Sequence, residues 1–180
     1  MFPAEVGGWQ KRQPACGADL LDMREVPLCM GFNTGIPGAF MSAGMKETIL
    51  LLDDESMLLE LLGSVLSRQY QVITVETAEQ ALSSFIEHSR QADLLVADLS
   101  LAKSSGILVA LLLRSVIPGL PIILTSGYPV NSWCERDAAD LHRLGSKSVV
   151  VLQKPFPSQA LLKTVRELIG ETQTELARTA

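Results

Sequence analysis

The stretch ILLLDDES, residues 49–56, runs four apolar residues straight into two adjacent acids, Asp53 and Asp54, with Glu55 next. A short, unbroken apolar run of this kind reads as a strand buried on both faces, as in a parallel sheet. Carboxylates at the end of such a strand are costly to desolvate unless something compensates them. The same pattern recurs downstream. Apolar runs at 71–75, 94–97, 121–124 and 148–152 join 48–52 as five expected strands. Helical segments separate them. Leu58, Leu61, Leu62, Val65 and Leu66 make the stripe of an amphipathic first helix. Thr77 and Gln80 have capping-box spacing ahead of an apolar face of Ala81, Leu82, Phe85 and Ile86. A third helix is expected over 105–116 and a fourth over roughly 131–144. The last helix sets Leu161, Leu162, Val165, Leu168 and Ile169 on one side, and Pro118-Gly119 breaks the chain before the fourth strand. Five strands alternating with five helices predict an α/β fold, a parallel sheet with helices on both faces and right-handed crossovers. Sites in such sheets lie beyond the carboxyl ends of the strands, where strand order reverses.

Composition agrees. Hydrophobic residues are 47% of the 180, charged residues 19% and aromatics 5%, which suits an aliphatic α/β interior. A net charge of −5 argues against nucleic acid as the main partner, because phosphate binding needs a basic face. Three cysteines (Cys16, Cys29 and Cys134) with no CxxC suggest neither a disulfide framework nor a zinc site, so a reducing cytoplasm is the expected location. The longest apolar block, GILVALLL at 106–113, ends at Arg114 and is far short of the roughly 20 residues a membrane span needs. The opening MFPAEVGGWQKRQ carries its charges in the wrong place for a signal peptide. Residues 1–45 hold seven of the 13 glycines and four of the nine prolines and keep no period. They read as an irregular or disordered extension, or as sequence upstream of a start at Met45. PLCMGFN at 27–33 echoes PIILTSGYP at 121–129 too briefly to make a repeat.

Four of the five strands deliver a polar group to one edge. The first ends in Asp53-Asp54, the third in Asp98, the fourth in Thr125-Ser126 and the fifth in Lys154-Pro155-Phe156. Singly, each has an ordinary explanation: a helix cap, a β-branched strand residue, a solvated lysine. Together they have a chemical logic. Three carboxylates around one point repel and raise one another's pKa, and a divalent cation relieves this. Hard oxygen donors suit Mg²⁺. One ammonium and one hydroxyl would then face an anion shared with the metal, and a phosphoryl group fits.

The constellation resembles the receiver domain of two-component response regulators. The matching pieces are LLLDDE (50–55), LLVADLSLAKSSG (94–106), IILTSGYP (122–129) and VLQKPF (151–156), and the likeness spans residues 47–170. It implies a flavodoxin-like (βα)5 fold with strand order 2-1-3-4-5, a receiver at 46–170 and a C-terminal tail at 171–180. It implies that Asp98 is the phosphoacceptor, a carboxylate nucleophile. Asp53, Asp54, Asp98 and the backbone carbonyl of Ser100 would hold Mg²⁺, Thr125 would bond the phosphoryl group and Lys154 would pair with it. The Lys154–Pro155 peptide would be cis, and Gly106 would close the loop after the acceptor. Two positions depart from the pattern. Ala102 stands where the family usually has proline, which shapes the loop without touching phosphate. Val151 stands where the family has the aromatic that turns inward on activation, so output coupling must use other parts, such as helix four or Tyr128.

After Gly170 only ETQTELARTA remains, too short for a DNA-binding module, so the expected protein is a single-domain, cytoplasmic phosphorelay component. Its partners would be a sensor histidine kinase or histidine phosphotransfer protein and a downstream protein target, and it would not be an enzyme in the turnover sense. Two alternatives stand beside this: a receiver-like adaptor that is never phosphorylated, and a phosphatase of the haloacid dehalogenase type. The phosphatase needs Asp-x-Asp at the first strand and a late acidic pair, where this chain has adjacent acids and scattered Glu167 and Glu171. GSK at 145–147 is not a P-loop. The third helix, apolar nearly all round, is expected to be deeply packed. His88 and His142 are expected on helix surfaces, and Trp133 and Cys134 in local packing.

Overall fold

The apolar run after Glu47 forms the strand β1, Thr48–Leu52, and its neighbours complete a five-stranded parallel sheet in the order β2-β1-β3-β4-β5. A computed structural model describes residues 46–88 and 91–179, with side chains as far as Gly170; the 1–45 segment lies outside the described residues. The other strands are β2 Gln71–Val75, β3 Leu94–Asp98, β4 Ile122–Ser126 and β5 Val149–Gln153. The helices are α1 Ser56–Leu66, α2 Ala78–Glu87, α3 Gly106–Val116, α4 Glu135–Leu144 and α5 Ser158–Thr179.

The two-residue period of the central strands splits the interior into two cores. Leu50, Leu52, Leu95, Ala97, Ile122 and Leu124 face α2 and α3, meeting Ala81, Phe85, Ile107, Ala110 and Leu113. Ile49, Leu51, Leu94, Val96 and Ile123 face α1 and α5, meeting Leu59, Leu62, Leu66, Leu161 and Val165. Both faces of β3 and β4 are buried along their whole length, which is why their sequences show no alternation. α3 is deeply packed, burying Ile107, Val109, Ala110 and Leu113. His88 and His142 are exposed, as read from the sequence.

Some local expectations are corrected. The inner stripe of α1 is Leu59, Leu62 and Leu66, while Leu61 points outward at 59% exposure. The run MLLELL admits two helical phases, and packing against α5 and the sheet selects one. On α2, Ala81 and Phe85 are buried as expected, but Ile86 is 64% exposed. The Thr77–Gln80 capping box is present in full, with Gln80 N donating to Thr77 Oγ1 at 3.2 Å and Gln80 Oε1 accepting from Thr77 N. The fourth helix is split. A 3-10 turn at Val130–Ser132 precedes it, Trp133 and Cys134 are extended, and the α-helix begins at Glu135. Its acidic first turn, Glu135 and Asp137, suits the positive end of the helix dipole. α5 runs through Gly170 to Thr179, so residues 171–179 of the expected tail continue the helix. One glycine costs a helix only about 1 kcal/mol relative to alanine, too little to end one already packed against the sheet.

Arg114 does more than end an apolar block. Its guanidinium donates to the carbonyls of Leu120 (2.9 Å), Leu144 (2.6 Å), Lys147 (2.9 Å) and Ser148 (3.2 Å). This ties the end of α4 and the start of β5 to α3. It also holds Ser148, whose φ of 59° lies in the left-handed region that disfavours a side chain.

Candidate functional site

Asp53 directly follows β1, and its carboxylate is fixed at both oxygens. Oδ1 accepts from Glu55 N at 3.0 Å, and Oδ2 accepts from Lys154 Nζ at 2.8 Å. Its backbone N donates to Val75 O, which prolongs the sheet pairing beyond Leu52. Asp53 is therefore buried, at 2% exposure, while Asp54 beside it faces solvent. Asp98 and Thr125 are register partners on β3 and β4. Both are inside their strands, and both are buried, at 7% and 1%. Thr125 Oγ1 donates to Asp98 Oδ1 at 3.3 Å. This exceeds the usual O–H···O range of about 2.5–3.0 Å, so the hydroxyl is only loosely committed.

Lys154 reaches the site from the end of β5. Its backbone N donates to Ser126 O at 2.7 Å, and the Lys154–Pro155 peptide is cis, as the resemblance implied. Nζ lies 2.8 Å from Asp53 Oδ2 and 2.9 Å from Asp98 Oδ1, so one ammonium bridges two carboxylates. The sequence suggested a lysine facing an anion; its pairing with both acids was not legible there.

Carboxylate oxygens of Asp53, Asp54 and Asp98 all lie within 4.8 Å of one another. Burial pushes the Asp98 carboxyl above the ordinary aspartate value; Lys154 opposes the shift, and Asp53 and Asp54 add to it. Burial alone would lower the Lys154 pKa, but hydrogen bonds to Asp53 and Asp98 outweigh it and raise the ammonium above the ordinary lysine value. The site thus sets three carboxyl groups against one ammonium.

The loop after Asp98 is shaped by Gly106. Gly106 N donates to Leu99 O, and Ser100 bridges to Ser105 across the loop. A Cβ at Gly106 would lie 2.1 Å from Asp98 O, so no side chain fits there. Ser100, the expected carbonyl donor, thus sits two residues past Asp98 in a loop whose ends are stitched together. The sequence reading brought Asp53, Asp54, Asp98, Thr125 and Lys154 to one edge, and the structure assembles them there. It missed the neighbouring network. Ser126 Oγ donates to Tyr128 O at 2.9 Å, and Trp133 Nε1 donates to the same oxygen at 3.2 Å. No sequence spacing signals a backbone carbonyl shared in this way.

The model of the response regulator receiver domain matches residues 49–166, the stretch that carries all of these groups. This chain belongs to that family. Receiver domains are signalling domains of two-component response regulators, generally phosphorylated on an aspartate and holding Mg²⁺ in an acidic pocket. Among curated proteins, the receiver is 32% identical over 130 residues to the Mycobacterium tuberculosis protein named "Probable transcriptional regulatory protein TcrX", covering 72% of this chain and 52% of that one. It is 31% identical over 81 residues to the Escherichia coli transcriptional regulatory protein GlrR, covering 44% of this chain and 18% of the relative. The chain thus spans about half the length of the first relative and less of the second. Among solved structures, a response regulator receiver protein from Sinorhizobium medicae is 29% identical with a TM-score of 0.59, covering 69% of this chain and 95% of that one. A CheY-like receiver from Methanospirillum hungatei, 21% identical, has a TM-score of 0.62 and covers 72% of this chain and 98% of its own; it supports the fold alone. No helix among the described residues is long and apolar enough to cross a membrane.

Proposed function

We propose that this receiver accepts a phosphoryl group on Asp98 from a phosphohistidine on a histidine kinase or phosphotransfer protein, and signals through protein contacts in the cytoplasm. The observation that carries this is the bridging ammonium: Lys154 holds Asp98 within 2.9 Å, beside Thr125 and two further acids. A carboxylate oxygen of Asp98 attacks phosphorus, the P–N bond breaks, and the imidazole leaves with the bonding electron pair. Lys154 and Thr125 then donate to the phosphoryl oxygens. The donor set, three carboxylates within 4.8 Å of one another, fits a hard cation. Asp53, Asp54 and Asp98, with the Ser100 carbonyl, are the groups that would hold Mg²⁺. Bound there, Mg²⁺ supplies charge neutralisation to the acids and to phosphoryl oxygens. The haloacid dehalogenase alternative gains nothing from the geometry, since Glu167 pairs with Lys163 at 3.8 Å on the exposed side of α5.

Intact mass after incubation with acetyl phosphate tests the assignment. The wild type is expected to gain one phosphoryl group with Mg²⁺ and none with a chelator. Labelling of Asp98→Asn to the same extent would rule Asp98 out as the acceptor.

We place the protein donor against α1, which begins three residues after Asp53. Met57 is 80% exposed and Leu61, one turn on, 59% exposed. An exposed apolar pair one turn apart offers a partner helix a place to seat. Replacing both with glutamate is expected to slow transfer from a phosphohistidine protein about tenfold or more, while leaving acetyl phosphate labelling within about twofold. Equal slowing with both donors would show that the pair acts on the site and not on docking.

A further inference from the structure

We propose that Trp133 couples the state of Asp98 to α4. The inference rests on the phosphoacceptor reading above and adds the route by which the site is reported. Val151 is a half-buried aliphatic residue and supplies no ring at the strand position where the resemblance led one to expect it. An indole is present elsewhere, at the end of a short chain of contacts from the acceptor.

Thr125 Oγ1 touches Asp98 Oδ1 at 3.3 Å, and the next residue, Ser126, is wholly buried. Ser126 is held at both ends. Its carbonyl accepts from Lys154 N at 2.7 Å, and its Oγ both donates to Tyr128 O at 2.9 Å and accepts from Tyr128 N at 3.1 Å. The Tyr128 carbonyl accepts a second bond, from Trp133 Nε1 at 3.2 Å. A Thr125 hydroxyl drawn onto a phosphoryl oxygen therefore pulls on Ser126, and Ser126 is bonded to the carbonyl that anchors the indole.

The indole matters because the first half of α4 buries no side chain. The helix buries only Asp140 and Leu144, both in its second half, and its N-cap Cys134 makes no side-chain cap bond. Trp133 packs against the core shared by α2, α3 and the sheet, immediately before the first turn of α4. Few buried contacts at one end of a helix mark that end as the part most readily displaced. Trp133 is where the movable end of α4 meets the rigid interior. The Nε1 bond to Tyr128 biases that end by about fivefold in population, the worth of one ordinary hydrogen bond.

A succession of contacts is not itself coupling, so the test reads coupling directly. The chain has two tryptophans, Trp9 and Trp133. In Trp9→Phe, Trp133 is the sole tryptophan, is unaltered, and is excited selectively on the long-wavelength side of tyrosine absorption. Mg²⁺ with acetyl phosphate is expected to shift or quench its emission in step with the phosphoryl mass gain, and the change is expected to vanish in the Trp9→Phe/Asp98→Asn double variant. Trp133→Phe keeps a ring but loses the donor. It is expected to label like wild type, while the phosphorylation-linked change in amide exchange over 135–144 falls about fivefold. Full labelling with unchanged Trp133 emission overturns the proposal, as does a Trp133→Phe variant whose α4 exchange responds like wild type. Absence of the mass gain sinks the phosphoacceptor reading as well, so intact mass separates the two failures.

Discussion

Lys154→Ala is expected to slow phosphoryl transfer to Asp98 by about 10²–10³-fold, the usual cost of removing one positioned donor from a developing anion. It is also expected to destabilise the cation-free fold. Lys154 bridges Asp53 and Asp98 at 2.8 and 2.9 Å, and its removal leaves two buried carboxylates unopposed. Breaking a buried pair costs about 3–5 kcal/mol; with the lysine side chain 24% exposed, water offsets part of this, and about 2–3 kcal/mol is expected. Excess Mg²⁺ should restore more stability to the variant than it adds to wild type, because the carboxylates then lack their internal counter-ion. Urea titrations with and without Mg²⁺ measure both terms. Equal cation-free stability of the two proteins would show that the bridge is not structural.

The pH profile adds a signature. Asp98 has a raised folded pKa, so its contribution to stability is fully present below the ordinary aspartate value and is lost as pH rises through the raised one. Lys154 is also raised, so its contribution is present below the ordinary lysine value and is lost as pH rises through the higher folded one. Cation-free wild type should therefore weaken in two steps, one above the ordinary aspartate range and one in alkali. Lys154→Ala should shrink the alkaline step to the part contributed by Tyr70, whose phenol is also raised by burial, and should enlarge the acidic step, since the lysine was holding the Asp98 pKa down.

Gly106→Ala is expected to cost about 3 kcal/mol although it adds a single carbon. That carbon would lie 2.1 Å from Asp98 O and 3.0 Å from Ala97 Cβ, and a backbone oxygen cannot swing aside as a flexible side chain can. The start of α3 must move away from β3, carrying the Ser100–Ser105 bridge with it. A fall of roughly 10 °C in Tm should accompany slower labelling of Asp98, with every polar group of the site retained. Gly127→Ala is the control. A Cβ there meets nothing within 4 Å, so its stability should stay within about 0.5 kcal/mol of wild type. Equal losses in the two variants would refute the close-approach argument.

These groups differ in how far the sequence disclosed them. The strands β1 and β2 have the bounds read from their apolar runs, because burial alone defines them. At β3 and β4 the apolar pattern stopped one or two residues early. Asp98, Thr125 and Ser126 are polar yet continue the ladder, since their backbones still pair with neighbouring strands. The acids, the threonine and the lysine were legible because topology sends every parallel strand end to one edge. What was hidden depends on contacts between distant residues: which phase α1 presents to α5, how Arg114 gathers carbonyls, and where the Trp133 indole finds its acceptor. The 3-10 turn and the extended Trp133 and Cys134 were hidden because residues 131–134 contain no glycine or proline to break a helix outright.

The four carbonyls on Arg114 also fix how α4 can move. The guanidinium grips Leu144, the last residue of the helix, and the segment just beyond it. That end is a fulcrum. A ten-residue helix is about 15 Å long, so a shift of about 2 Å at Glu135 is a swing of roughly 8° about Leu144. On the coupling proposed for Trp133, the start of β5 would stay still while the far tip sweeps, and α4 would work as a lever arm whose pivot is an arginine on another helix.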